Sequence, residues 1–94
     1  MLIQIRREPE FTDWLESQRP KERAQVLARI AKIEQEGYFG DAKVLGAGLA
    51  ELRWKNGRRV YFAKTGESEI TLILGGNKNG QSQDIKEARK ILSR

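Results

Sequence analysis

A chain of 94 residues with 38% hydrophobic and 33% charged side chains has the length of one domain, 1–94, and too many apolar residues for a disordered segment. The absence of cysteine and histidine excludes a disulfide framework, a thiolate zinc site and imidazole acid–base chemistry. A formal net charge of +5 favours a polyanionic partner such as nucleic acid, without bearing on fold.

Leu2 to Arg6 alternates apolar and polar residues and predicts a short opening strand. Pro9 suits the first turn of a helix, and Phe11, Trp14 and Leu15 fall on one side of it. Pro20 ends that helix region and opens a second helix, in which Val26, Leu27, Ile30 and Ile33 form a stripe and Gly37 stands at the expected left-handed cap. Arg23, Arg29 and Lys32 alternate with glutamates and are read as its solvated face. Asp41 to Gly48 lacks periodicity and is expected to be a connecting loop. Three β-like runs follow, Leu49–Trp54, Arg58–Lys64 and Glu69–Leu74, with links short enough for an antiparallel meander. Gly75 to Gly80 is a second expected loop, Ser82 a plausible N-cap, and Ile85, Ala88, Ile91 and Leu92 mark a closing helix. The fold class is therefore α+β, with an opening strand and helical hairpin packed on a small antiparallel sheet. Trp14 and Trp54 are read as packing residues. No stretch has signal-peptide or membrane-span character, so a cytoplasmic, membrane-free location is the expectation.

Charge concentrates in one place. Residues 1–42 carry 7 basic and 8 acidic side chains, residues 43–64 carry 6 and 1, and residues 65–94 carry 5 and 4, so the central segment holds a balance of +5. That segment is a β-hairpin. A two-residue Asn56-Gly57 turn would pair Arg53 with Val60 and place charge among core residues. A three-residue loop, Lys55-Asn56-Gly57, with Gly57 left-handed, pairs Leu52 with Val60 and Arg53 with Arg59 instead. Leu52, Val60 and Phe62 then face the helices, while Glu51, Arg53, Arg59 and Tyr61 face away. Two guanidiniums directly opposite one another repel, so either Glu51 or a bound phosphate must offset them.

Asp41-Ala-Lys-Val-Leu-Gly-Ala-Gly-Leu-Ala-Glu-Leu-Arg53, then Arg59-Val-Tyr-Phe, then Leu74-Gly-Gly-Asn-Lys-Asn-Gly-Gln81 and Asp84-Ile, resembles the toxins of the RelE/ParE superfamily, and more closely the phage-Gp49-like HigB branch. The resemblance spans essentially the whole chain. It implies a helical pair on a small antiparallel sheet and a toxin of a type II toxin–antitoxin system that cuts mRNA on the ribosome. It also implies silencing by a cognate antitoxin, commonly a helix-turn-helix protein. Arg59 matches the arginine that family members use to grip the scissile phosphate, and Lys78 matches a basic position near their active site. The RelE lysines of the first hairpin strand are replaced here by Leu49 and Glu51. The late tyrosine of RelE and the histidines of some HigB proteins have no counterpart, and Gln81, Gln83 and Asp84 stand in that region.

Metal-independent RNA cleavage needs a base for the 2′-hydroxyl, an acid for the 5′-oxygen and cations for the phosphorane. The expected catalytic set is Arg53 and Arg59 as phosphate clamp, Lys78 as acid if the arginines crowd it, and Glu51 as base or as the group that holds an arginine. A carboxylate between arginines is a poor base, which favours the holding role. Lys43, Lys55, Arg58, Tyr61 and Gln81 complete the RNA-binding set, with Tyr61 able to stack on a base. The Gly75–Gly80 loop with Lys78 is no Walker sequence, though free N–H groups around Ser82 to Asp84 make an anion site conceivable. No metal or cofactor is expected. Two alternatives share the fold: a ParE-like toxin that poisons DNA gyrase, and a non-catalytic relative that binds antitoxin and nucleic acid only.

Overall fold

The computed structural model describes residues 2–94. In chain order the elements are β1 (Gln4–Arg7), α1 (Pro9–Glu16), α2 (Pro20–Glu36), β2 (Ala42–Gly46), β3 (Leu49–Arg53), β4 (Arg58–Gly66), β5 (Glu69–Asn77), a 3-10 turn (Lys78–Gly80) and α3 (Gln81–Ser93). The strands form a single mixed sheet in the order β1-β5-β4-β3-β2. β1 runs parallel to β5, and the remaining pairs are antiparallel.

Proline opens both N-terminal helices, and α2 stops at Gly37, whose N–H bonds the Ile33 carbonyl and whose φ of 69° turns the following chain off the helix axis. Phe11 and Leu15 from α1, and Val26, Ile30 and Ile33 from α2, pack on Leu52, Val60, Phe62, Ile70 and Leu72 of the sheet. Trp14 and Trp54 flank this cluster. The opposite sheet face is covered as well. Ala88 and Ile91 of α3 bury Leu49, Tyr61, Ala63 and Ile73 in a second cluster, so the sheet is sandwiched at its middle strands. Arg89 ties α3 to the carbonyls of Leu45 and Gly46 at 3.0 and 3.1 Å, and Arg94 ties its end to Glu8 and Glu10.

The segment expected to be a connecting loop contains β2. It pairs with β3 from Ala42↔Leu52 to Gly46↔Leu49 and turns through Ala47 and Gly48, both at positive φ, as a tight hairpin demands. β2 is an edge strand; Val44 is 81% exposed, and the strand is held by backbone pairing with β3 and by Leu45, which packs on the second cluster. The second expected loop is strand as far as Asn77. Gly75 and Gly76 pair in that strand with Val60 and Arg59, and side chains packed against them from either face leave no room for a Cβ. A Cβ on Gly75 would sit 2.1 Å from Trp14 Cδ2, and one on Gly76 2.0 Å from Asp84 Oδ2. α3 begins at Gln81 with Gly80 as its cap residue and no side-chain cap, so Ser82 lies inside the helix.

Candidate functional site

The hairpin has the three-residue loop. Gly57 takes φ 96°, its N–H bonds the Trp54 carbonyl at 3.0 Å, and the Asn56 side chain accepts from Arg58 N at 2.9 Å. Leu52 pairs with Val60, Glu51 with Tyr61 and Arg53 with Arg59. The two arginines do stand opposite one another, and the repulsion is resolved by sending them to different carboxylates. Arg53 turns outward to Asp41, with Nη2 and Nε 3.2 and 3.3 Å from Oδ1. Arg59 stays inward, its Nε 3.7 Å from Glu51 Oε2.

The expectation that Glu51 and Tyr61 lie on an open face is corrected, because α3 packs there. Both residues are 0% exposed. A buried carboxylate requires partners, and Glu51 has them: Gln81 Nε2 donates to both its oxygens at 2.8 and 3.1 Å, and the Arg59 guanidinium lies beside it. Gln81, expected on RNA, thus opens α3 by spending its amide on Glu51. The Tyr61 ring offers no surface on which a base could stack, and its hydroxyl has no hydrogen-bond partner among the described residues. Burial, with the nearby charges of Glu51 and Asp84, pushes the phenol up to about 12 against a smaller opposing effect of Arg59. Tyr61 therefore remains protonated throughout the physiological range.

Asp84 lies over Gly76 and next to Gly80 at the start of α3, and burial raises its carboxyl above the usual range. The helix N-terminus considered for an anion thus already faces a carboxylate of its own chain. Lys78 is exposed at the start of the 3-10 turn that follows β5, its N–H bonded to the Gly57 carbonyl at 2.7 Å and its aliphatic stem lying against Gly57. Lys43 sits on edge strand β2 in register with Glu51, and Lys55 on the hairpin turn; both are exposed. Arg58 points to the other sheet face, where Gln18 Oε1 accepts from its Nη2 and Nε at 3.1 and 3.3 Å. The structure therefore gathers Glu51, Arg59 and Gln81 into one cluster with Arg53 at its exposed rim, and leaves Arg58 apart from them.

Several contributors carry no local signal. Asp41 orients Arg53. Arg29, expected on a solvated face, donates to the carbonyls of Phe39, Asp41 and Arg53 and lies over the Trp54 ring at 4.5 Å. Burial lowers its pKa, and it clips α2 to the base of the hairpin. Arg23, read the same way, donates to the Gln18 carbonyl at 3.0 Å. One signal for the covered face was present: Tyr61-Phe62-Ala63 and Leu72-Ile73-Leu74 are unbroken apolar runs, the pattern of strands buried on both sides.

Comparison with known proteins agrees with this architecture. The free E. coli toxin RelE, in a mutant form, superposes with a TM-score of 0.76 at 15% identity, covering 96% of this chain and 97% of that one. The toxin–antitoxin complex RelBE2 of Mycobacterium tuberculosis matches with a TM-score of 0.66 at 13% identity, over 82% of this chain and 99% of that one. An uncharacterised protein of Haemophilus influenzae is 37% identical over 94 residues, 97% of this chain and 94% of its own. The family model of phage-derived Gp49-like proteins matches residues 13–94, and on that match the chain, with its RelE-type α+β fold, belongs to the Gp49-like family.

Proposed function

We propose that this protein is the toxin of a toxin–antitoxin module and acts as a metal-independent endoribonuclease on ribosome-bound mRNA. The observation that carries the reading is the split arginine pair. Arg59 is held inward beside a buried carboxylate, and the Arg53 side chain, directly opposite, is engaged in an exposed ion pair with Asp41. Exposed pairs contribute under about 1 kcal/mol, so Arg53 exchanges Asp41 for a phosphate at little cost, and the two guanidiniums then clamp one phosphoryl group. Their charge stabilises the phosphorane formed when the 2′-oxygen, its proton passing to solvent water, attacks phosphorus and the 5′-oxygen leaves. Glu51 acts by aiming Arg59, since Gln81 occupies both its oxygens. Lys78, exposed at the start of the 3-10 turn, is the candidate proton donor to the leaving oxygen. The similarity to RelE supports the toxin assignment, and a complex with an antitoxin in the RelBE2 structure supports a cognate antitoxin as partner, here of the helix-turn-helix type.

The test is mRNA fragmentation after induction, with Arg59→Ala in parallel. Growth arrest with cleaved transcripts, both lost in the variant, supports the reading. Intact transcripts in arrested cells overturn it. A second reading, binding of antitoxin and nucleic acid without cleavage, is favoured by the burial of Glu51 and Tyr61, two groups with proton-transfer chemistry. Salt-sensitive ribosome binding with an uncut message supports that alternative.

A further inference from the structure

On the sheet face opposite Arg59 lies a polar cleft of about 480 Å³ between the α1–α2 joint and the hairpin end, lined by Trp14, Gln18, Glu22, Asn56, Arg58 and Asn77 among others. Two of its groups are shielded from solvent yet without a hydrogen-bond partner among the described residues: Glu22 Oε1 and Arg58 Nη1. Among the described residues, Glu22 makes no ion pair within 4 Å, although Arg58 lines the same cleft. Gln18 holds the other nitrogens of Arg58, so that Nη1 is the donor left over. Asn56 and Asn77 spend their amide oxygens on the backbone N–H groups of Arg58 and Asn79 at 2.9 Å each, which leaves their NH2 groups as further donors. The cleft thus presents a carboxylate acceptor, a set of donors and an aromatic wall, Trp14.

We propose that this cleft binds a guanine base of the RNA that Arg59 grips. Guanine has two donors on one edge, N1–H and N2–H2, spaced to meet both oxygens of a carboxylate, and two acceptors, O6 and N7, that suit a guanidinium. Adenine, cytosine and uracil each offer a single donor group, so a buried carboxylate oxygen stays unpaired when they enter. Arg58 and Arg59 are successive residues of β4 and project to opposite sheet faces, so a strand bound at Arg59 reaches the cleft by crossing the open end of the sheet. The inference rests on RNA binding at Arg59, while the cleft's chemistry is read separately from it.

Titration of isotopically labelled protein with GMP, AMP, CMP and UMP, followed by amide and side-chain NMR shifts, tests the cleft directly. GMP is expected to move the Trp14 indole N–H and the Gln18, Asn56 and Asn77 side-chain amides at concentrations where the other three nucleotides do not. Glu22→Gln, with a dispersed spectrum showing that it folds, is expected to weaken GMP by about tenfold or more. Arg59→Ala is expected to leave these shifts in place. Equal responses to all four nucleotides, shifts confined to the Arg59 and Lys78 side, or unchanged GMP binding by Glu22→Gln overturn the inference. Selective GMP binding alongside an uncut message retains the cleft and removes only the cleavage reading; a cut message without GMP binding does the reverse.

Discussion

The two faces of the sheet are built differently. The face under α1 and α2 is filled by aliphatic and aromatic side chains from Phe11 to Leu72 and keeps its polar groups, Glu22 and Arg58, in a cleft at the hairpin end, whereas the face under α3 is apolar at its middle and buries a carboxylate and a phenol, with an arginine beside them, within the packed layer. Burying Glu51 and an unbonded tyrosine hydroxyl is costly, and a face designed only for stability would not contain them. The difference indicates that the larger apolar cluster under α1 and α2 supplies most of the burial that stabilises the fold and that the α3 face gives up part of its own to hold Arg59 in one orientation.

Truncation on each face should separate the two roles most sharply. Phe11→Ala is expected to cost about 3–5 kcal/mol of stability in denaturant unfolding, with cleavage per folded molecule retained. Arg59→Ala is expected to lower cleavage by about 10²–10³-fold while the protein remains folded. Loss of specific activity in the first variant, or collapse of the fold without a catalytic defect in the second, would reverse the assignment of roles.

The phenol of Tyr61 gives a pH-dependent version of the same contrast. An unfolded tyrosine ionises near pH 10, and the folded protein keeps this one protonated up to about 12. Between those values the unfolded chain releases a proton that the native state retains, so stability is full below pH 10 and falls as pH rises to 12, by about 2–3 kcal/mol. Tyr61→Phe removes that decrement. Because the hydroxyl has no partner among the described residues, the same variant is expected to change stability at pH 7 by less than about 1 kcal/mol. Denaturant midpoints of both proteins across pH 8–12 measure the difference, and parallel curves would show that the phenol is not held neutral by its surroundings.

Adjacent glycines then probe the two faces from within one strand. Gly75→Ala drives a methyl into the Trp14 ring and is expected to cost about 1–3 kcal/mol or more, as overpacking does. Gly76→Ala meets the Asp84 carboxylate, a flexible group that yields at smaller cost to stability. Its displacement shifts the start of α3, where Gln81 holds Glu51, so the effect should appear in cleavage instead. Thermal melts and RNA assays of the pair distinguish these outcomes.

The same glycines show where sequence reasoning stops. The hairpin register was legible because local turn chemistry and side-chain alternation both demanded Gly57 at a left-handed position and Leu52 opposite Val60. Gly75 and Gly76 read equally well as a loop, since the residues that require them, Trp14 and Asp84, come from other parts of the chain. β2 escaped for the opposite reason: a solvated edge strand such as Ala42–Gly46 has no buried periodicity to detect. The apolar stripe of α3 was visible, but its destination on the Glu51 and Tyr61 face depended on topology. That one packing event converted two expected surface residues into buried ones and turned Gln81 from an RNA ligand into a partner of Glu51.

The smallest effect concerns the rim, where Arg53 belongs to the α3 face by register yet points to solvent. Its partner Asp41 is 59% exposed and Arg53 36%, so Asp41→Ala is expected to change stability by less than about 1 kcal/mol. The backbone at that position stays clipped through the bonds of its carbonyl to Arg29 and to Arg53 N, which keeps the change local. Removing the carboxylate leaves the Arg53 guanidinium facing Arg59 without a competing anion, and phosphate becomes its best available partner. RNA binding should therefore tighten at low salt, with a steeper loss as salt rises. Unchanged affinity and salt slope would mean that Arg53 does not meet phosphate, and that the clamp consists of Arg59 with another cation.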